Sequence, residues 1–474
     1  MHSQTPAQHH HEVVPPTDPR RWRALAVLAI AQFMLILDIT VVTVALPDIG
    51  ADLDLSRAAT TWVVTAYTLL FGGLMIFGGR AADLFGARRV VMSGLAMFTA
   101  SSLVAGLAVN ASMLIAARVG QGIGAALLAP AAMSVITTTF HGAERNRALG
   151  VWGALGGTGA AAGVLVGGLL TAGPGWAWIF FVNVPVGLVL LALMTRVLPE
   201  RPGRPGEGID VLGAVIATAT VGSAIYGLIN AGDHGWSDPL SAGPLAAAVV
   251  LAIAFVAYER TIARPLLNPA LLVRRPIAAG AVLMLVATGL LITGFFLGSF
   301  YLQQAQGNSA LVTGLLFVPV AIGTILGAHN AGHFIGRFGY RPVGVAGLLV
   351  AAVGGAVPVF WSGTTALIIG LTVAAAGQGA VIVTATTTAL ATVDHAQAGV
   401  TSGLINTFHE VGAALGVAVL STVAAVSLRS LGADTSGFTS AFALSAGIAV
   451  VVAVIAVVLV PAGKPPAGMR VSAH

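Results

Sequence analysis

Fourteen times along its length this chain runs for about 20 residues with almost no charge, the length a helix needs to cross a bilayer. The stretches cover residues 24–46, 58–78, 90–109, 112–135, 147–171, 177–198, 211–231, 241–259, 277–302, 311–332, 342–361, 365–390, 399–427 and 438–460. Only helices and closed barrels satisfy their backbone groups inside lipid, and runs this long are helical. The breaks between them collect Pro, Gly, Asp and Arg, as in "PERPGRPGEGID" at 199–210. An all-α polytopic membrane protein follows. Only 8% of residues are charged, against about 25% in soluble domains.

Positive charge orients the bundle. If residues 1–23 lie in the cytoplasm, nineteen of the 22 basic residues fall on the cytoplasmic side, where such an excess belongs. Arg57 and Arg429 fall outside, and Arg118 lies within a span. Both termini are therefore expected in the cytoplasm. Residues 1–23, with "HHH" at 9–11, read as a polar tail, and 461–474 as a second. Cysteine is absent, which removes disulfides and thiolate chemistry.

The chain repeats itself. "GGRAADLFGARRV" at 78–90 aligns with "AGHFIGRFGYRPV" at 331–343, matching Gly79, Phe85, Gly86 and Arg88 to Gly332, Phe338, Gly339 and Arg341. "GQGIGA" at 120–125 echoes "GQGAVI" at 377–382. The offsets, 253 and 257, are nearly equal. Residues 24–198 and 277–460 then form two six-helix bundles, joined by a linker at 199–276 that carries two extra spans. Parallel repeats of this kind belong to transporters with a site between the halves near mid-membrane.

Polar groups inside the spans mark the candidate site. Asp38 interrupts "FMLILDITVVTVALP", and a charge at that depth needs a partner or a cavity. Counting ~1.5 Å per residue, Arg118 lies at nearly the same depth, so the two can pair permanently or share a proton-linked site. Glu410, in "NTFHEVGAALG", is a second acid near mid-membrane. Burial favours the neutral form of a carboxyl group, the property a proton carrier needs. Its neighbour His409 points about 100° away around the helix. Tyr67, Gln121, Gln378, Asn230 and Thr384 are candidate polar contacts for a substrate, and Phe71, Trp152, Phe295, Phe296 and Phe408 candidate aromatic lining. Gly159, Gly163 and Gly167 form a small-residue stripe against which another helix can pack closely.

These motifs, in this order, resemble the major facilitator superfamily, and more narrowly its fourteen-span drug:proton antiporters. "LDITVVTVALPDIG" at 37–50 is similar to the first-span motif, and "GGRAADLFGARRV" to the loop signature between spans 2 and 3. "RVGQGIGAALLAP" at 118–130 resembles the fourth-span motif with its buried arginine, and "GAAAGVLVGG" at 159–168 the fifth-span antiporter motif. "WAWIFFVNVPVG" at 176–187 follows as in the family. Val164 stands where that antiporter motif has proline, and His409–Glu410 where relatives more often have Arg–Gln.

The resemblance implies proton-coupled efflux of amphipathic, often cationic, small molecules by alternating access. The alternative is a proton-coupled importer, or a dedicated single-metabolite transporter, on the same fold. It implies proton coupling through Asp38, Arg118 and Glu410, with Asp38 and Glu410 also facing substrate. Gly79, Asp83, Gly86 and Arg88 become a conformational switch, with Asp83 held by the other half near Thr401 and Ser402. Gly159, Gly163, Gly167 and Gly168 become packing against the other half that seals the cavity. Expected partners are a small-molecule substrate, protons and the lipid bilayer, with no nucleic acid, in a monomer of a bacterial inner membrane. The protonmotive force takes the place of a cofactor. An enzyme is the least favoured reading: "GLINTFHEVG" lacks the spaced second histidine of a zinc protease.

Overall fold

The computed structural model describes residues 21–464 apart from 141, 199, 201–209, 263–264, 267–268, 392, 394 and 432. The tail readings at 1–20 and 465–474 lie outside the described residues. Among the described residues, eighteen α-helices follow in order. They are α1 (Arg21–Asp52), α2 (Arg57–Phe85), α3 (Ala87–Gly106), α4 (Ala111–Thr139), α5 (Gly142–Ala172), α6 (Trp178–Phe181), α7 (Asn183–Val197), α8 (Val211–His234) and α9 (Pro239–Glu259). Then come α10 (Pro269–Val273), α11 (Arg275–Phe300), a π-helical turn at Tyr301–Ala305, α12 (Ala310–Leu316), α13 (Val318–Phe338), α14 (Tyr340–Phe360), α15 (Thr364–Leu390), α16 (His395–Val423), α17 (Ala425–Arg429) and α18 (Ser436–Leu459).

Among the described residues, 13 helices are long and apolar enough to cross a membrane. The remaining expected span, the fifth, is α5, a helix of 31 residues. Helix starts carry the residues that satisfy free N–H groups. Ser56 accepts from Ala59 N at 3.2 Å ahead of α2, and Asn110 from Met113 N at 2.9 Å ahead of α4. Asp238 caps α9, with Pro239 at its first position, where a missing N–H costs nothing.

The repeat is visible in backbone geometry. Gly86 and Gly339, 253 positions apart, both have φ +90°, a conformation that glycine adopts without strain. Their N–H groups close α2 and α13 on Ala82 O and Ile335 O, again 253 apart. Arg88 donates to Thr195 O at 2.7 Å, and Arg341 to Val460 O at 2.9 Å. Each loop arginine therefore ties down the last span of its own half. Arg88 also meets the exposed Glu200 at 2.5 Å.

The second echo needs a correction. A methyl group at Gly124 would lie 2.7 Å from Gly94 O, and one at Gly347 would lie 2.9 Å from Gly377 O. Gly94 and Gly347 are 253 apart, and so are Gly124 and Gly377. The "GQG" alignment at offset 257 is thus one helical turn out of register. In the true register the counterparts of Asp38, Arg118 and Gln121 are Leu291, Leu371 and Ala374. The polar cluster belongs to the first half alone.

A further correction concerns the glycine stripe. Gly159, Gly163 and Gly167 pack on α1 of their own half, at Ile36, at Thr40 and Leu37, and at Val41. Gly168, about 100° further round the helix, faces the other half: a methyl there would lie 2.7 Å from Ala310 O. Val164, fully buried, turns its carbonyl toward Gly314 on α12. The α5 helix is wedged between α1 and α12, so one motif serves two interfaces.

The halves meet along α2 with α16, α5 with α12 and α13, and α1 with α11. Ser299 and Gln303 donate to Val44 O at 3.3 and 2.7 Å. Thr61 meets Ser421 at 3.5 Å, and Gly72 adjoins Glu410 at mid-helix. The named bonds and the Gly72–Glu410 approach lie between mid-bundle and the end bearing Arg57 and Arg429. That arginine-poor end is closed. The extra helices α8 and α9 pair with each other, and α8 also leans on both α2 and α16.

Candidate functional site

Five helices deliver polar side chains to one point in the first half. Asp38 comes from α1, Tyr67 from α2, Ser102 from α3, Arg118 and Gln121 from α4, and Asn183 from the start of α7. Arg118 and Gln121, three apart, share a helix face. Gly122 lets α2 approach: a methyl there would lie 2.6 Å from Tyr67 O.

Asp38 and Arg118 form an ion pair with each side chain 1% exposed. Nη1 of Arg118 bonds Asp38 Oδ2 and, at 2.8 Å, Gln121 Oε1, while its Nε donates to Val63 O at 2.9 Å. Its guanidinium lies 4.4 Å from the centre of the Tyr67 ring, a cation–π contact. The other carboxylate oxygen of Asp38 accepts from Gln121 Nε2 at 3.1 Å and Asn183 Nδ2 at 3.2 Å. Gln121 also donates to Ser102 Oγ at 2.8 Å.

Burying a charge pair is costly unless further hydrogen bonds support it, and this network supplies four beyond the pair's own. The network is neutral as a whole. A proton arriving on Asp38 leaves Arg118 as an uncompensated buried cation.

Glu410 sits on α16 of the other half, 5% exposed, against Gly72 of α2. One of its oxygens meets His409 Nδ1 at 3.2 Å, and the other is buried without a hydrogen-bond partner. His409 is the more open of the two, its side chain 35% exposed against 7%, as their 100° separation requires. The acid thus lies at the seam between the halves.

The remaining candidates divide. Tyr67 and Phe71 stand together, ring centres 5.7 Å apart, beside the ion pair. Gln121 belongs to the Asp38 network. Phe295 and Phe296 are buried in the helix core against Phe317 and Phe300, each pair 5.1 Å apart. Gln378 is buried on α15, while Trp152 on α5 and Phe408 on α16 are partly buried at the margins of apolar clusters. Asn230 bonds back to Tyr226 O, and Thr384 to Ala380 O, each within its own helix.

Asp83 is exposed at the end of α2. α16 begins at His395, so Thr401 and Ser402 lie in its second and third turns and not at its first. Gly79 is in ordinary contact with Pro130, 3.7 Å from a methyl placed on it. Sequence reading missed Asn183 and Ser102. Asn183 was in view as the one amide in "WAWIFFVNVPVG", whereas Ser102 is indistinguishable from any helical serine.

This is the fold of a two-half transporter with a charged pair locked inside one half. The sequence model of the Major Facilitator Superfamily matches residues 28–301 and again 280–473. The chain belongs to the Major Facilitator Superfamily. It is 38% identical over 473 residues to the cephamycin export protein CmcT of Amycolatopsis lactamdurans, covering 95% of each chain. It is 37% identical over 471 residues to the puromycin resistance protein pur8 of Streptomyces alboniger, covering 94% of this chain and 92% of that one. Among solved structures, the POT family transporter PepTSo aligns with a TM-score of 0.68 at 15% identity, over 94% of this chain and 98% of its own. That likeness concerns the fold. The chain is a multi-pass transporter, placed in the inner membrane of a bacterium.

Proposed function

We propose that the protein exports amphipathic small molecules, of the antibiotic or secondary-metabolite kind, in exchange for protons. The observation that carries this reading is the buried Asp38–Arg118 ion pair, each side chain 1% exposed, inside the first half. Relatives named for antibiotic export and resistance support the substrate class. The arginine-rich end faces the cytoplasm in this reading, so the closed end faces outward and the structure is in an outward-closed state. Protons enter from outside, load Asp38 and Glu410, and leave inward. A cationic substrate competes with the proton for Asp38, and that competition couples the two flows. The protein works as a monomer.

The test is reconstitution in liposomes with an imposed pH gradient and a fluorescent cationic dye. Dye should accumulate against its own gradient on the proton-rich side and stop when an ionophore collapses the pH difference. Dye movement indifferent to the gradient would overturn proton exchange.

A further inference from the structure

Arg57 and Arg429, the two arginines that break the charge asymmetry, converge on one carboxylate. Arg57 opens α2 in the first half, and Arg429 ends α17 in the second. Asp233 belongs to neither half: it lies in the last turn of the extra span α8. Its Oδ1 accepts from Arg57 Nε at 2.8 Å and is 3.5 Å from Arg429 Nη1.

Arg57 and Asp233 are poorly placed within their own helices. A carboxylate at a helix C-terminus and a cation at an N-terminus both oppose the helix dipole. The arrangement makes sense only between helices. Arg57, its side chain 2% exposed, also donates to Ile229 O on α8 and to Ser421 O on α16 at 3.4 Å. Arg429 donates to Gly232 O at 2.9 Å, one of the carbonyls left open at the end of α8. Thr422 of α16 adds a bond to Leu228 O at 2.6 Å.

We infer that the inserted span α8 is a gate element. Asp233 holds one arginine from each half, so the arginine-poor end cannot open until one arm lets go. The two arms are unequal. Arg57 is buried and held by several bonds, and α8 packs on α2 again lower down, where Thr218 would lie 2.7 Å from a methyl on Gly73. Arg429 is 48% exposed and holds Asp233 at the longer distance. Opening with α8 on the first half therefore releases Arg429 together with the Thr422–Leu228 and Arg57–Ser421 bonds to α16.

The chain has no cysteine, so spin labels can be placed freely at exposed sites of the full-length protein in nanodiscs. One pair, Ser56→Cys with Ala433→Cys, spans the gate. A second, Ser56→Cys with Trp236→Cys, reports α8 against α2. Asp233→Asn should raise the long-distance population of the first pair about tenfold, the effect of losing a hydrogen bond to a charged group. The second pair should not move. Arg429→Ala, at a half-exposed site, should do the same and keeps the test alive if Asp233→Asn does not fold. An unchanged first pair in the folded variants would overturn the latch. A second pair that lengthens together with the first would overturn the assignment of α8 to the first half. Neither reading involves transport, so failure of proton exchange and failure of the latch are told apart.

Discussion

Arg118 and Asp38 face each other across α4 and α1 with 1% of each side chain exposed, and Gln121 bridges them by contacting both. Opposite charges so enclosed are each other's main solvent. Removing one leaves the other stranded, at a cost of about 3–5 kcal/mol.

Arg118→Leu should therefore lower the melting temperature of the purified protein markedly. Adding Asp38→Asn to it should restore most of the loss, because no charge is then buried alone. A double variant as unstable as the single would show that Arg118 acts by packing on Tyr67 instead.

The glycines of α5 separate two effects. Gly163→Val strikes Thr40 inside the first half and should cost stability, about 1–3 kcal/mol by overpacking. Gly168→Val strikes Ala310 across the seam. It should leave the melting temperature nearly intact while raising labelling of a cysteine at position 44 from the closed side. Equal loss of stability from both would refute the division of the motif between two interfaces.

Gly86 and Gly339 close equivalent helices at φ +90°. Alanine at either position should destabilise the protein by about 1 kcal/mol or more, since an L side chain is strained there. Gly336→Ala, a methyl into open space inside α13, is the control and should stabilise by about 0.5–1 kcal/mol. Thermal denaturation of the three variants checks this.

Most of the fold was legible because hydropathy at span length is a coarse signal that survives errors of several residues. The loop repeat was legible because Gly86 and Gly339 are required by backbone geometry, not chosen by taste of side chain. "GQG" misled by one turn: small residues recur every four positions along α4 and α15, and a shift of four preserves the helix face. The site was half legible. Asp38 and Arg118 stood out as charges in apolar runs, and depth counting brought them together. Which neighbour the glycine stripe meets was not legible, because a helix presents several faces and the sequence does not say which helix covers each. Asp233 was hidden for a different reason. A carboxylate near a span end reads as ordinary surface charge, and only the folded chain shows two distant arginines meeting it.

The central claim is that the proton and Arg118 compete for Asp38. Purified protein in proteoliposomes can be assayed in two modes, uphill dye accumulation driven by a pH gradient and dye exchange at equal pH. Asp38→Asn, which cannot be ionised, should lower the first by 100-fold or so, about 2.7 kcal/mol, and leave exchange of an uncharged dye, which does not need the carboxylate, within a few fold of the parent. Gradient-driven accumulation that persists in Asp38→Asn would contradict the account.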